Sequence, residues 1–237
     1  MNTNKNSYTL IYSTIMVIIV AAALAFAADA LKNPINKNRE IEKKMNILMS
    51  VGKALEISGE KNLFIESEYK KYIKEEFLVN AKGERIQGDA FNTDLKKEYA
   101  KPEQERKLPV FVCIDKDIKL YILPVRGKGL WGAIWGYVSL KDDLNTIYGT
   151  NFDHASETPG LGAQIATRNF QERFSGKKLF KNSAFVSVQV IKEGSAALDD
   201  YKVDGISGST ITSKAVGKMM LESLSNYRAF FGKFSNQ

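Results

Sequence analysis

Leu108-Pro-Val-Phe-Val-Cys-Ile-Asp-Lys-Asp-Ile-Lys-Leu-Tyr-Ile-Leu-Pro-Val125 is the stretch on which the fold turns. From Leu108 onward the pattern is period two and rich in β-branched residues, the spacing of pleated strands whose side chains alternate between faces. Val110 to Ile114 and Ile118 to Val125 flank Asp115-Lys-Asp117, residue types suited to a tight reversal, so the stretch predicts an antiparallel hairpin. Cys113, the single cysteine of the chain, lies in the first apolar run and reads as a buried thiol.

Immediately downstream, Arg126-Gly-Lys-Gly-Leu-Trp-Gly132 contains Gly127-x-Gly129-x-x-Gly132, the spacing of a dinucleotide fingerprint. Such a fingerprint must open a helix, whereas Ala133-Ile-Trp-Gly-Tyr-Val-Ser-Leu140 is β-branched and aromatic and predicts another strand. Dinucleotide binding is therefore set aside. Leu130 and Trp131 beside flexible glycines read either as the wall of an aromatic ligand site or as part of a β core. The stretch Tyr148 to Gly162 reads as a loop. Its Asp153, His154 and Ser156 are too close in sequence to converge as a hydrolase triad, and no Gly-x-Ser-x-Gly elbow accompanies them. Pro159, Gly160 and Gly162 permit tight turns before a helix expected from Ala163 to Phe174, and Ala184 to Ile191 predicts a further strand.

Asp204-Gly-Ile-Ser-Gly-Ser-Thr-Ile-Thr-Ser213 then runs into a final helix with Val216, Met220 and Leu224 on one face. Hydroxyls and glycines crowd this stretch, so it reads as a tight turn ending at a helix N-terminus. Free backbone N–H groups and the helix dipole favour an anion there, and Gly205 and Gly208 let a phosphate approach the backbone closely.

Upstream, no charge interrupts Asn6 to Ala28, which as a helix would span about 34 Å against a hydrocarbon core of roughly 30 Å. A cleaved signal peptide is the rival reading, since Ala25-Phe-Ala27 and Ala28-Asp-Ala30 resemble cleavage sites; Tyr8, Tyr12 and the length of the span favour a retained anchor. After Pro34, Asn38 to Ile57 predicts an amphipathic linker helix, Glu66 to Phe77 a second helix, and Asn92 to Lys107 a solvated connection. Residues 1–31 are thus the anchor, 32–107 a helical linker with the first part of the soluble domain, and 108–237 the main domain, an α+β fold with a mainly antiparallel sheet and flanking helices.

Composition narrows the function classes. The formal charge of +7 and a pI near 9.2 suit nucleic acid, anionic lipid or acidic partners, but acidic residues alternate with the basic ones and no aromatic-interleaved basic stripe occurs, so nucleic-acid binding is not expected. With one cysteine and one histidine, His154, the chain lacks the ligands for zinc, iron–sulfur or bis-histidine haem sites. Any redox chemistry must come from an organic cofactor or a partner, and no metal site is expected.

The order Asp204-x-x-Ser207-Gly208-Ser209-Thr210 resembles the flavinylation signature Asp-x-x-Ser-Gly-Ala-Thr of the FMN-binding domain family. Gly129-Leu-Trp131 and Glu157-Thr-Pro-Gly-Leu-Gly162 resemble two further segments of that family, in the expected order. The resemblance implies FMN carried covalently on Thr210 through a phosphoester made by a flavin transferase. Ser207, Gly208 and Ser209 would hold the phosphate, and Leu130, Trp131, Glu157, Thr158, Leu161 and Gly162 would approach the ring. Ser209 stands where the family more often has alanine, which puts a second hydroxyl beside the acceptor.

The anchor and Asn38-Arg-Glu-Ile-Glu-Lys-Lys-Met-Asn-Ile-Leu-Met-Ser-Val-Gly52 extend the similarity to the family of C subunits of sodium-translocating NADH:quinone reductases, with Rnf-complex G subunits as close relatives. That resemblance implies an electron-carrying subunit partnered by other subunits and the lipid bilayer, in a bacterial inner membrane with its soluble domain periplasmic. A naive count of flanking positive charge would instead put that domain in the cytoplasm. An Rnf-type subunit, or a membrane-anchored assembly module with a degenerate flavin site, are the alternatives.

Overall fold

The computed structural model describes residues 6–53, 59–194 and 199–232. The chain divides into two compact units, residues 1–43 and 44–237. Helix α1 (Asn6–Ser50) forms the described part of the first unit and continues into the second. Its apolar portion is long and apolar enough to cross a membrane, with a mean hydropathy of 2.5, and its side chains, such as Leu10, Val17 and Phe26, are exposed. The linker helix expected as a separate element after Pro34 is part of this same helix. Pro34 lies inside α1, where its missing N–H removes one rung while its neighbours carry the ladder. The remainder of that expectation, from residue 54 on, lies outside the described residues.

The second unit holds α2 (Lys61–Tyr72), β1 (Ile73–Val79), β2 (Arg85–Ile86), α3 (Leu95–Tyr99), β3 (Leu108–Asp115), β4 (Ile118–Lys128), β5 (Ala133–Lys141), β6 (Ile147–His154), α4 (Arg168–Glu172), β7 (Phe180–Lys181), β8 (Ala184–Phe185), β9 (Gln189–Ile191), β10 (Lys202–Asp204), α5 (Thr210–Ser225) and α6 (Arg228–Gly232). The first six strands make one antiparallel sheet in the order β2-β1-β3-β4-β5-β6. The predicted hairpin is β3–β4, with Phe111 opposite Ile122, Asp115 opposite Ile118 and Lys116 at φ 55° in the reversal. β4 runs on through Gly127 to Lys128, and Gly129 N–H donates to Gly132 O at 2.8 Å, so the glycine segment turns between strands and opens no helix.

Both faces of the sheet are covered. Val110, Val112, Leu123, Val125 and Val138 share a core with Val216, Met219, Met220 and Leu224 of α5. The alternate residues Phe111, Cys113, Ile122 and Tyr137 are buried as well. On their side, Ser139 Oγ donates to Ser50 O at the end of α1 (2.5 Å), and Tyr69 of α2 donates to Glu76 of β1 (2.9 Å). Two-sided burial is why β3 is an almost unbroken apolar run, each aliphatic side chain contributing about 1.5–3 kcal/mol. Cys113 is fully buried, which pushes its thiol up to about 11.

Several elements depart from the sequence expectation. The helix expected over Glu66 to Phe77 ends at Tyr72, and Ile73–Val79 pairs with β3; Lys74, Glu75 and Glu76 disguise a strand that the ladder imposes. The supposed connection from Asn92 contains α3, whose cap Asp94 accepts from Lys96 N–H at 2.9 Å. The first half of the expected Tyr148–Gly162 loop is β6, paired along β5. The helix expected from Ala163 is a 3-10 turn, Gly162–Ala166, then α4, separated by the extended backbone of Thr167. The strand expected over Ala184 to Ile191 is broken at Ser187 (φ 56°): β8 pairs with β7, and β9 lies parallel to β10.

Candidate functional site

The turn that leads into α5 is tied down from both sides. Gly205 N–H donates to Ile191 O (2.8 Å), and Arg173 Nη1 donates to the carbonyls of Asp204 (3.1 Å) and Gly205 (2.7 Å). A side chain on Gly205 would press on Ile191 O at 2.8 Å. Ser209 N–H donates to Ile206 O (3.1 Å), closing a reversal in which Gly208 has φ 71°, a conformation glycine adopts without strain. Ser213 Oγ accepts from Ile206 N–H (3.0 Å) and donates to Ser209 O (2.8 Å), locking the turn to the first turn of the helix.

α5 begins at Thr210, and its ladder opens with Ser213 N–H donating to Ser209 O (3.0 Å). The N–H groups of Thr210, Ile211 and Thr212 precede that ladder, and the Ser209 side chain does not cap them. Positions alternate in exposure: Ser207, Gly208, Thr210 and Ile211 face out, while Ser209, Thr212 and Ser213 are buried.

Glu157 joins this turn to the glycine segment. It is 4% exposed; one carboxylate oxygen accepts from Trp131 N–H (2.9 Å) and the other from the Thr212 hydroxyl (2.7 Å). Burial works to raise its pKa, but the Thr212 hydroxyl and the backbone N–H groups of Trp131, Gly132 and Leu130 outweigh it, and the carboxyl sits below its ordinary value. Room for the carboxylate comes from two glycines. A Cβ on Gly129 would collide with one oxygen, and a Cβ on Gly162 would lie 2.5 Å from the other and 3.0 Å from Thr212 Oγ1.

Around this junction lies a groove of about 320 Å³. Leu130, Trp131, Thr158, Leu161 and Gly162 border it from the sheet side, and Gly208, Ser209, Thr210, Ile211 and Thr212 from the turn and α5. Glu157 also lines it, with both oxygens taken as described. Ser207 lies on the exposed turn outside this lining. Trp131 is 67% and Ile211 61% exposed, so the groove has large apolar side chains at its mouth that the fold itself does not cover. Sequence reasoning missed Thr212 and Ile211 as site residues; the helical period that separates inward from outward positions in Thr210-Ile-Thr212 was the available signal.

Other reactive groups are spent on structure. His154 Nδ1 accepts from Glu157 N–H (3.3 Å) and Ser156 donates to Trp131 O (3.2 Å), so no nucleophile–base pair forms. In a larger groove of about 480 Å³ near Met49 and Arg168, the serine and threonine hydroxyls are engaged: Ser50, Thr150 and Ser175 all donate to backbone carbonyls. Among the described residues, no group of three or more His, Cys, Asp or Glu residues could hold a metal ion.

The FMN-binding domain family matches residues 129–225. The C subunit of the Na(+)-translocating NADH-quinone reductase of Haemophilus ducreyi is 32% identical over 233 residues, covering 91% of this chain and 88% of that protein. Its counterpart in Pseudomonas aeruginosa is 29% identical over 248 residues, covering 92% and 91%. Among solved structures, the C subunit of the Na(+)-translocating NADH-quinone reductase from Parabacteroides distasonis aligns with a TM-score of 0.77 at 43% identity, covering 85% of this chain and 96% of that one. Shewanella oneidensis NqrC aligns with a TM-score of 0.70 at 23% identity, over 84% and 99%, a likeness of fold.

Proposed function

Because this chain belongs to the family of C subunits of the Na(+)-translocating NADH-quinone reductase, we propose that it serves as the FMN-carrying electron-relay subunit of such a complex, with the flavin joined through its phosphate to the Thr210 hydroxyl. One observation carries the attachment point: Thr210 is exposed in the groove at the start of α5, while its neighbours Ser209 and Thr212 are buried. That contrast favours Thr210 over Ser209 as acceptor. The surrounding residues fit the cofactor. N–H groups ahead of the helical ladder suit a phosphate, and the uncovered Trp131, Leu130, Leu161 and Ile211 suit a flat aromatic ring.

FMN supplies transfer of one or two electrons. The chain's own work is positional. The Gly205–Ser209 turn presents the Thr210 hydroxyl, the Gly129–Gly132 turn presents an aromatic wall, and the tether keeps a cofactor that an open groove would otherwise release. Maturation by a flavin transferase, anchorage by α1 in a bacterial inner membrane and a periplasmic soluble domain complete the reading. The uncharged run Asn6 to Ala28 offers no carboxylate to an ion, and the reading therefore assigns this chain electron transfer and no part of a sodium path.

Co-expression of the full chain with a flavin transferase, followed by denaturing electrophoresis, tests the proposal. Flavin fluorescence should stay with the protein band, and the peptide containing Thr210 should gain the mass of FMN less water. Thr210→Val should abolish the label. A label that survives this change would point to another hydroxyl, and a wild-type chain that never acquires one would favour an assembly module with a degenerate site.

A further inference from the structure

We propose that the Glu157–Thr212 contact is a positioning device for flavin attachment, an inference that rests on the assignment of Thr210 as acceptor. Thr210 and Thr212 are two residues apart in α5, about 200° around the helix axis, so one hydroxyl faces the groove and the other faces Glu157. By donating to the buried carboxylate at 2.7 Å, Thr212 withdraws its own hydroxyl from the groove. The same carboxylate holds Trp131 N–H at 2.9 Å. A single side chain thus fixes the first turn of α5, which carries the acceptor, against the turn that carries the apolar wall. Gly129 and Gly162 leave space for that carboxylate and for nothing larger on their own Cα atoms.

Attachment breaks the Thr210 Oγ1–H bond and the phosphoanhydride bond of a flavin dinucleotide, and forms the Oγ1–P bond. A nucleoside monophosphate and a proton leave, and no electrons change hands. Glu157 and Thr212 enter none of these bonds. They set where Thr210 Oγ1 stands relative to the flavin, and are positioning residues.

The test compares initial rates of labelling by a flavin transferase for the full-length chain in detergent, each normalised to the folded fraction measured by circular dichroism. Thr212→Val keeps the buried volume and loses the donor; its rate should fall about tenfold, the factor carried by one buried hydrogen bond to a charged acceptor. Thr212→Ser keeps the donor and should return the rate to within about twofold of wild type. The label should map to Thr210 in each variant. A wild-type rate in Thr212→Val, or a Thr212→Ser rate as slow as that of Thr212→Val, overturns the inference while leaving the acceptor assignment standing. A wild-type chain that takes no label removes the acceptor assignment, and this inference with it.

Discussion

Glu157 is where three distant pieces of the chain meet, and its ionisation should be visible in stability. Its carboxyl is held below the ordinary 4.5 because its hydrogen-bond donors outweigh the cost of burial. The stabilisation that follows is fully present above pH 4.5 and is lost as pH falls through the lowered folded-state value. Denaturant unfolding of wild type and Glu157→Gln should therefore differ most at neutral pH, with the gap narrowing below pH 4.5; a gap that stays constant into acid would mean the carboxylate is not the stabilising form. In the sequence, Thr210 is reached through the resemblance of Asp204-x-x-Ser207-Gly208-Ser209-Thr210 to the flavinylation signature, whereas the residues by themselves give only a turn at a helix N-terminus. The partnership of Glu157 with Thr212 spans 55 positions and has no local signature, so only the folded chain reveals it.

Helix α5 links the site to the core. Its outer face begins with Thr210, and its inner face buries Val216, Met219, Met220 and Leu224 against β4 and β5. Leu224→Ala should cost about 2–5 kcal/mol in equilibrium unfolding, because a fully buried leucine leaves a cavity beneath a sheet that cannot collapse onto it. The stripe Val216, Met220 and Leu224 is legible in sequence because its spacing is helical, and the β3–β4 hairpin because two alternating runs flank Asp115-Lys-Asp117. β1 is hidden for the opposite reason. Lys74, Glu75 and Glu76 occupy a strand whose identity comes from pairing with Phe111 and Val112, a contact that no window of neighbours contains. Residues 162–174 mislead in a third way, since Thr167 breaks an otherwise helical composition into a 3-10 turn and a five-residue helix.

For the whole molecule, the reading proposed above is of an anchored electron carrier, and the buried Cys113 makes the side of the membrane that its soluble domain faces measurable. Because the only thiol in the chain has no exposed surface, the folded protein is silent to maleimides, and any cysteine added to its surface becomes a unique reporter. Lys218 on the outer face of α5 is a suitable position: its side chain is 73% exposed, and its 3.7 Å pair with Glu222 is of the surface kind worth only about 0.3–0.5 kcal/mol. Lys218→Cys should react with a membrane-impermeant maleimide in intact cells whose outer membrane has been opened, and wild type should not. Labelling only after the inner membrane is breached would place the domain in the cytoplasm. A core built to keep one sulfur out of water thus also gives the chain a blank background for spin and fluorescence probes, so that distances from this subunit to its neighbours can be read in an assembled complex without first removing a native thiol.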